Sequence, residues 1–225
     1  MTTSKIQQAL SASRLFQPKK VAFSVAVLII FHGVGLWGLL FSGNPEYYQN
    51  LTPLNLLLTN FLLFLNHKTF SRTFWLFVFV TFTIGFLAEV LGVHTGLLFG
   101  NYIYGEALGF KLWEVPLIIG LNWVMLVYSA GTIANKLSFN SIIKVFFAAG
   151  IMVALDFFIE PAAMKYDFWS WQNNEVPVTN YVGWLGLALL LQHFFQRVLP
   201  ENKNPVAPLV IYLQAAFFIA LNLFI

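Results

Sequence analysis

Three carboxylic acids stand inside otherwise apolar stretches of the chain: Glu89, Asp156 and Glu160. An ionisable side chain within a hydrocarbon span costs a few kcal/mol, so each such group is a functional candidate by default. The plainer role would be a neutral hydrogen bond between helices or, for Glu160, a reach to the membrane interface. Asp156 and Glu160 are four residues apart, which on a helix puts both carboxyls on one face with Cβ atoms ~6 Å apart. Two carboxyls that close in a low dielectric do not both ionise readily, so at least one is expected to keep its proton. A protonated carboxyl facing an apolar cavity is a general acid. Glu89 lies four residues after Gly85 and three before Gly92, at a depth in its stretch that matches the other two acids.

Other chemistries fall away. The chain has no cysteine, which excludes disulfides, thiolate metal sites, iron–sulfur ligation and cysteine nucleophiles. Its four histidines are scattered without a close-spaced pair, so no metal site is expected. His32 stands beside Gly33, Gly35 and Gly38, a small-residue ridge that predicts close helix packing around a buried, hydrogen-bonded imidazole. His94 opens the glycine-rich segment Gly92-Val93-His94-Thr95-Gly96, followed by Phe99-Gly100, Tyr102, Tyr104-Gly105 and Gly109. Glycines so dense among aromatics predict tight turns with flat rings packed on them, a lid for an apolar cavity. The segment lacks the Gly-Lys-Ser/Thr run of a phosphate cradle.

The elements that must position these groups are membrane helices. Of 225 residues, 59% are hydrophobic and only 9% charged, and the mean hydropathy is +0.75. A soluble globule carries roughly a quarter charged residues. Seven apolar stretches are visible: 21–41, 54–65, 74–93, 115–135, 142–160, 181–198 and 206–225. They predict an all-α, polytopic membrane bundle of about seven transmembrane helices, with 1–20 a basic leader and 21–225 a single transmembrane domain. The first apolar run is too long for a signal-peptide core and lacks a small-residue cleavage site, so it is read as retained. Thr52 is expected to cap the short second helix with Pro53 at its first position. Pro161 is expected to end the fifth.

Ten of the twelve basic residues fall in the leader and in alternate loops: Lys5, Arg14, Lys19, Lys20, Lys68, Arg72, Lys136, Lys144, Arg197 and Lys203. The positive-inside rule then places the N-terminus in the cytoplasm and the chain in the inner membrane. All acids but Glu201 lie in the opposite loops or the helix ends that meet them. The net charge of +3 thus reports topology, not nucleic-acid binding. The long outer connections, 94–114 and 161–180, are expected to be functional. Among the aromatics, Trp75 and Tyr212 fit the membrane interface, whereas Trp169, Trp171 and Trp184 cluster with the acids. A retinal-binding protein is excluded, because 206–225 holds no lysine. A transporter is disfavoured, because no inverted repeat is visible and the inner helix halves show little polarity beyond His32, Asn60 and Asn135.

The run Gly85-x-x-x-Glu89-x-x-Gly92-Val93-x-Thr95-Gly96-x-x-Phe99-Gly100-x-Tyr102-x-Tyr104-Gly105-x-x-Leu108-Gly109 resembles the membrane carotenoid biosynthesis proteins typified by the carotenoid 1,2-hydratases, including those of the gamma-carotene and bisanhydrobacterioruberin pathways. Further likeness lies in Thr52-Pro53-Leu54-Asn55, Val115-Pro116, Asp156-x-x-x-Glu160-Pro161, Trp169-x-Trp171, Pro177 and Asn180-Tyr181-x-Gly183-Trp184. The likeness spans 50–190. It implies a hydrophobic carotenoid substrate and water as co-substrate, in the lipid bilayer, with other enzymes of the pathway as partners. Hydration of a terminal isoprene double bond needs a proton, a tertiary cation and a water, and no cofactor. On that reading Glu89 and Asp156 are the catalytic acids, and Glu160 tunes Asp156 or positions water. Asn180, Tyr102 and Tyr104 are candidates to hold the water. Trp169, Trp171 and Trp184 are candidates to line the pocket or stabilise the cation. A carotenoid cyclase begins with the same protonation and is the nearest alternative; a non-catalytic carotenoid-binding or transport protein is the other.

Overall fold

The computed structural model describes the backbone of residues 3–225 and the side chains of residues 18–225. Of the basic leader, Lys5 and Arg14 therefore lie outside the described side chains. The helices are α1 (Thr3–Phe41), the five-residue α2 (Pro45–Gln49), α3 (Thr52–Leu65), α4 (Arg72–Thr95), α5 (Ile118–Ala134), α6 (Ser141–Lys165), α7 (Val178–Val198) and α8 (Ala207–Asn222). The protein is an all-α bundle, as its hydropathy predicts. Three segments, Pro18–Phe41, Arg72–Thr95 and Ser141–Lys165, are long and apolar enough to cross a membrane by length and composition. The apolar α5 and α8 are shorter, and α3 has 14 residues, about 21 Å of rise against a hydrocarbon core of about 30 Å.

α5 is the hub. Trp123 to Thr132 is buried without a break, nearly three turns that bring every face of the helix inward. A helix apolar all round belongs at the centre of a bundle, and α5 packs against α3, α4, α6, α7 and α8. The helix ends gather at two poles. At one, Tyr166 Oη donates to the Leu39 carbonyl and Asn222 Nδ2 to that of Phe158. At the other, Lys20 Nζ reaches the Leu65 carbonyl at 2.8 Å and Asn135 Nδ2 the Leu199 carbonyl at 3.2 Å. This second pole carries the basic loops.

Four local expectations need correction. Thr52 does not cap α3: the N-cap is Leu51, without a side-chain bond, and the proline falls within the first turn. Pro161 does not end α6, which continues to Lys165. Proline removes only its own N–H, and the next turn recovers its bonds, as in Tyr166 N–H to the Ala162 carbonyl. The glycine ridge of α1 is packed at Gly38, against the Tyr48 ring, and at Gly35, against Phe217 of α8, but not at Gly33, where a Cβ would meet nothing within 4 Å. The basic pole is also far from bare. Tyr128 Oη lies 2.8 Å from His67 Nδ1, donates to Asn202 Oδ1 and accepts from Asn204 Nδ2, while Asn202 Nδ2 donates to Thr132 Oγ1. These bonds pin the 199–206 connection beneath α3 and α5.

The two long connections at the acidic pole are structured. β1 (Tyr102–Tyr104) pairs antiparallel with β4 (Trp169–Trp171). Within the first connection, β2 (Lys111–Leu112) pairs with β3 (Val115–Pro116). Its two-residue turn, Trp113-Glu114, has φ of 51° and 65°, the backbone hand that matches strand twist in a tight hairpin.

Candidate active site

Residues two apart on a strand share a face, and directly paired residues on neighbouring strands point the same way. The register Tyr102↔Trp171 and Tyr104↔Trp169 therefore gathers four aromatic side chains on one face of the β1–β4 ribbon. Ile103, between the tyrosines, is 67% exposed, whereas Tyr102, Tyr104 and Trp171 are buried. The inward face carries four hydrogen-bond donors, two phenols and two indoles.

Those donors meet the carboxyls. Tyr102 Oη donates to Glu89 Oε2 at 2.6 Å and Tyr104 Oη to the same oxygen at 2.9 Å. From α5, Trp123 Nε1 donates to Glu89 Oε1 at 2.9 Å. Trp169 and Trp171 donate through Nε1 to Glu160 Oε2 at 2.9 and 2.7 Å. The Asn180 amide, in the first turn of α7, supplies one N–H to Glu160 Oε1 at 3.0 Å and the other to Asp156 Oδ2 at 2.8 Å. Glu89 and Glu160 thus have the same arrangement: one oxygen takes two donors, the other takes one and keeps an open position. Asp156 has a single donor, and its Oδ1 has no partner among the described residues. All three acids are buried, at 4% exposure or less, so Glu160 does not reach the interface. Burial pushes the ribbon hydroxyls of Tyr102 and Tyr104 well above the usual tyrosine range. They remain donors at any physiological pH.

The glycines that flank Glu89 make room for these partners. A Cβ on Gly85, one turn earlier, would lie 2.6–2.9 Å from the Trp123 side chain. A Cβ on Gly92 would come within 2.6 Å of the Phe99 ring and 2.9 Å of the Tyr102 hydroxyl. Gly85-x-x-x-Glu89-x-x-Gly92 therefore encodes space for the donors on either side of one carboxyl.

Glu89 and Glu160 line a cavity of about 270 Å³ together with Trp123, Trp184, Phe99 and Phe168. Trp184 stacks on Trp123 with ring centroids 4.5 Å apart. Every expected site residue belongs to this cluster, and all but Asp156 line the cavity: Tyr102, Tyr104, Trp169, Trp171, Asn180 and Trp184 do so. The i, i+4 spacing does align Asp156 with Glu160, but the Asn180 amide spans the two carboxyls, and Asp156 lies off the cavity wall. Tyr102 and Tyr104 spend their hydroxyl protons on Glu89 and not on a free water site. Sequence reasoning missed Trp123, which reads as one more apolar residue of α5 but supplies an indole N–H. It also missed Asn55, whose buried Oδ1 is unpartnered among the described residues, and Asn122; both line the cavity. Asn55 was within reach, as a lone amide in the leucine-rich start of α3.

A family profile described as "Carotenoid biosynthesis protein" matches residues 51–225. The bisanhydrobacterioruberin hydratase of Haloarcula japonica is 29% identical over 117 residues, an alignment covering 47% of this chain and 40% of that protein. The chain therefore matches less than half the length of that relative. No solved structure matches it. The family match runs from the entry of α3 through α8 and contains Glu89, Asp156, Glu160 and all their hydrogen-bond donors, so the chain belongs to the carotenoid biosynthesis protein family.

Proposed function

We propose that the protein hydrates the terminal 1,2 double bond of an acyclic carotenoid end group, with Glu89 as general acid and Glu160 as the base that receives the water proton. The observation that carries this reading is the pair of buried, donor-armed carboxyls on the wall of one aromatic cavity. The roles divide by chemistry. Glu160 is surrounded by two indoles and an amide N–H, groups that can only donate there, which favours a carboxylate. Glu89 takes the Trp123 indole on Oε1 and two phenols on Oε2; phenols can accept as well as donate, so this carboxyl tolerates a proton better than Glu160 does.

The Glu89 proton adds to C2 of the double bond and leaves a tertiary cation at C1. A water adds to C1 and gives its second proton to Glu160, forming the tertiary alcohol. Solvent exchange returns Glu89 and Glu160 to their starting states. The reaction is redox-neutral and requires no cofactor. Trp123 and Trp184 stack on each other, so one free indole face of the pair is open to the cation and stabilises it by ~1–2 kcal/mol when desolvated. Proton donation from a positioned acid contributes about a hundred- to ten-thousand-fold, and the fixed donors around both carboxyls supply preorganised electrostatics. Asn55 and Asn122 offer amide partners to the attacking water, and Asp156 shares Asn180 with Glu160 as a proton reserve behind the wall. With the N-terminus in the cytoplasm of an inner-membrane protein, the cluster lies in the outer leaflet, where a dissolved polyene meets water at the helix ends. Pathway enzymes that supply the acyclic substrate are the expected partners.

The test is expression in a host that accumulates an acyclic carotenoid, with mass analysis of the pigments. A gain of one water supports hydration, and an isomer of unchanged mass identifies a cyclase. Glu89→Gln and Glu160→Gln should each abolish product at normal membrane levels; near-native turnover in both would refute the assignment.

A further inference from the structure

The cavity is walled by buried residues at the ribbon and against α8. The ribbon residues Tyr102, Tyr104, Trp169 and Trp171 close its acidic pole, and the buried His32 and Gln214 line its wall on α1 and α8. Among the described residues that line it, only Phe31, Val34 and Leu54 are strongly exposed, at 49%, 51% and 61%. Phe31 and Val34 belong to α1 and Leu54 to α3, so the cavity opens sideways through a slot between these two helices. Gly35 also lines the cavity, and beside it Gly33 has open space, which thins α1 at this level. Val34 is seven residues from the end of α1, about 10 Å along the axis. Leu54 lies in the first turn of α3, so the mouth runs from the start of α3 down the apolar flank of α1.

Size limits what enters. A volume of about 270 Å³ stands at the small end of ligand cavities, which run from about 300 to 1,000 Å³, so it suits a chain end and not a whole polyene. We propose that the slot between α1 and α3 is a lateral entrance from the bilayer, through which the terminal isoprenoid segment of the substrate threads while the remainder stays in lipid along α1 and α3. This rests on the carotenoid reading of the cavity but not on the hydration chemistry. It makes the protein a reader of the chain end. The long apolar remainder never leaves the solvent it is dissolved in, and only the reacting end is desolvated against the carboxyls.

The absence of cysteine permits a clean test. In the double variant Val34→Cys/Leu54→Cys, the two introduced thiols are the only ones in the chain. Closing them with a cleavable bifunctional thiol reagent should reduce uptake of an acyclic carotenoid into the purified protein in lipid nanodiscs to under a tenth, read by absorbance, and cleavage should restore it. Val34→Trp and Leu54→Trp should narrow the slot and slow uptake, whereas Leu190→Trp, on an exposed face of α7, should not. Unchanged uptake after complete closure, or failure of any reagent to bridge the two thiols, would overturn the proposal. So would bridging between two copies in place of within one, which would show that this face packs on a second chain. Because uptake is read without turnover, slot-dependent uptake with no gain of water sinks the hydration reading alone, and hydration that survives closure sinks the entrance alone.

Discussion

If Glu89 gives up its proton in the rate-limiting step, negative charge grows on its carboxyl in the transition state, and every donor fixed on it is worth more there than in the ground state. Tyr102 and Tyr104 both donate to Oε2, at 2.6 and 2.9 Å. A hydrogen bond to a charged group contributes ~1.5–3 kcal/mol, and each 1.36 kcal/mol is tenfold in rate. Tyr102→Phe is therefore expected to lower kcat about 10- to 150-fold, and Tyr104→Phe somewhat less, since its bond is longer. Because both act on one oxygen, the double variant should depart from the product of the single effects by a coupling of ~0.5 kcal/mol or more. The substitutions remove only hydroxyls, so the backbone pairing of β1 with β4 survives and carotenoid uptake should match the wild type. The assay is initial rate in nanodiscs by liquid chromatography and mass spectrometry, with uptake by absorbance in parallel. Near-native kcat in Tyr102→Phe/Tyr104→Phe would refute the reasoning, as would a loss that tracks uptake and spares kcat.

Gly85→Ala should push the Trp123 indole off Glu89, lowering kcat by about tenfold or more, whereas Gly186→Ala, with nothing within 4 Å of the added carbon, should be silent; equal rates in the two would show that Trp123 has no role. Burial holds the loop residue His67 below its ordinary value of 6.5, so the unfolded chain takes up a proton before the folded one does. The stability this confers is present above about pH 6.5 and lost as pH falls through the lower folded value. Melting midpoints between about pH 5 and 8 should fall on the acid side for the wild type and flatten in His67→Gln.

The helices were legible because apolar stretches of this length admit few other readings, and the depth of the three acids followed from the same stretches. What was not legible arises from pairing across distance. No periodicity in 102–104 or 169–171 announces a strand, since three residues are too few to show a period of two, and the 67-residue separation of their starts hides the register. The donor set followed suit: Trp123 is invisible among its apolar neighbours until α5 is placed beside α4. Pro161 misled because a proline near the end of an apolar run reads as a stop, while the tertiary packing of Ala162 and Ala163, both fully buried, carries the helix one turn further.

The ribbon joins stability to chemistry. Four of the six donors to Glu89 and Glu160 come from β1 and β4, so until those strands pair each carboxyl keeps a single donor, Trp123 for Glu89 and Asn180 for Glu160. A buried charge with so few partners is costly enough that the acids would take up protons or the helices would part. The bundle and the site therefore form together. The same coupling explains why the carboxyls can be both deep and poised: indoles and phenols solvate them as water would, but from fixed positions and with apolar bodies that leave the rest of the cavity dry. On the proposed hydration, a hydrocarbon end approaches a proton donor without meeting bulk water, and a single water at an amide decides whether its cation becomes an alcohol.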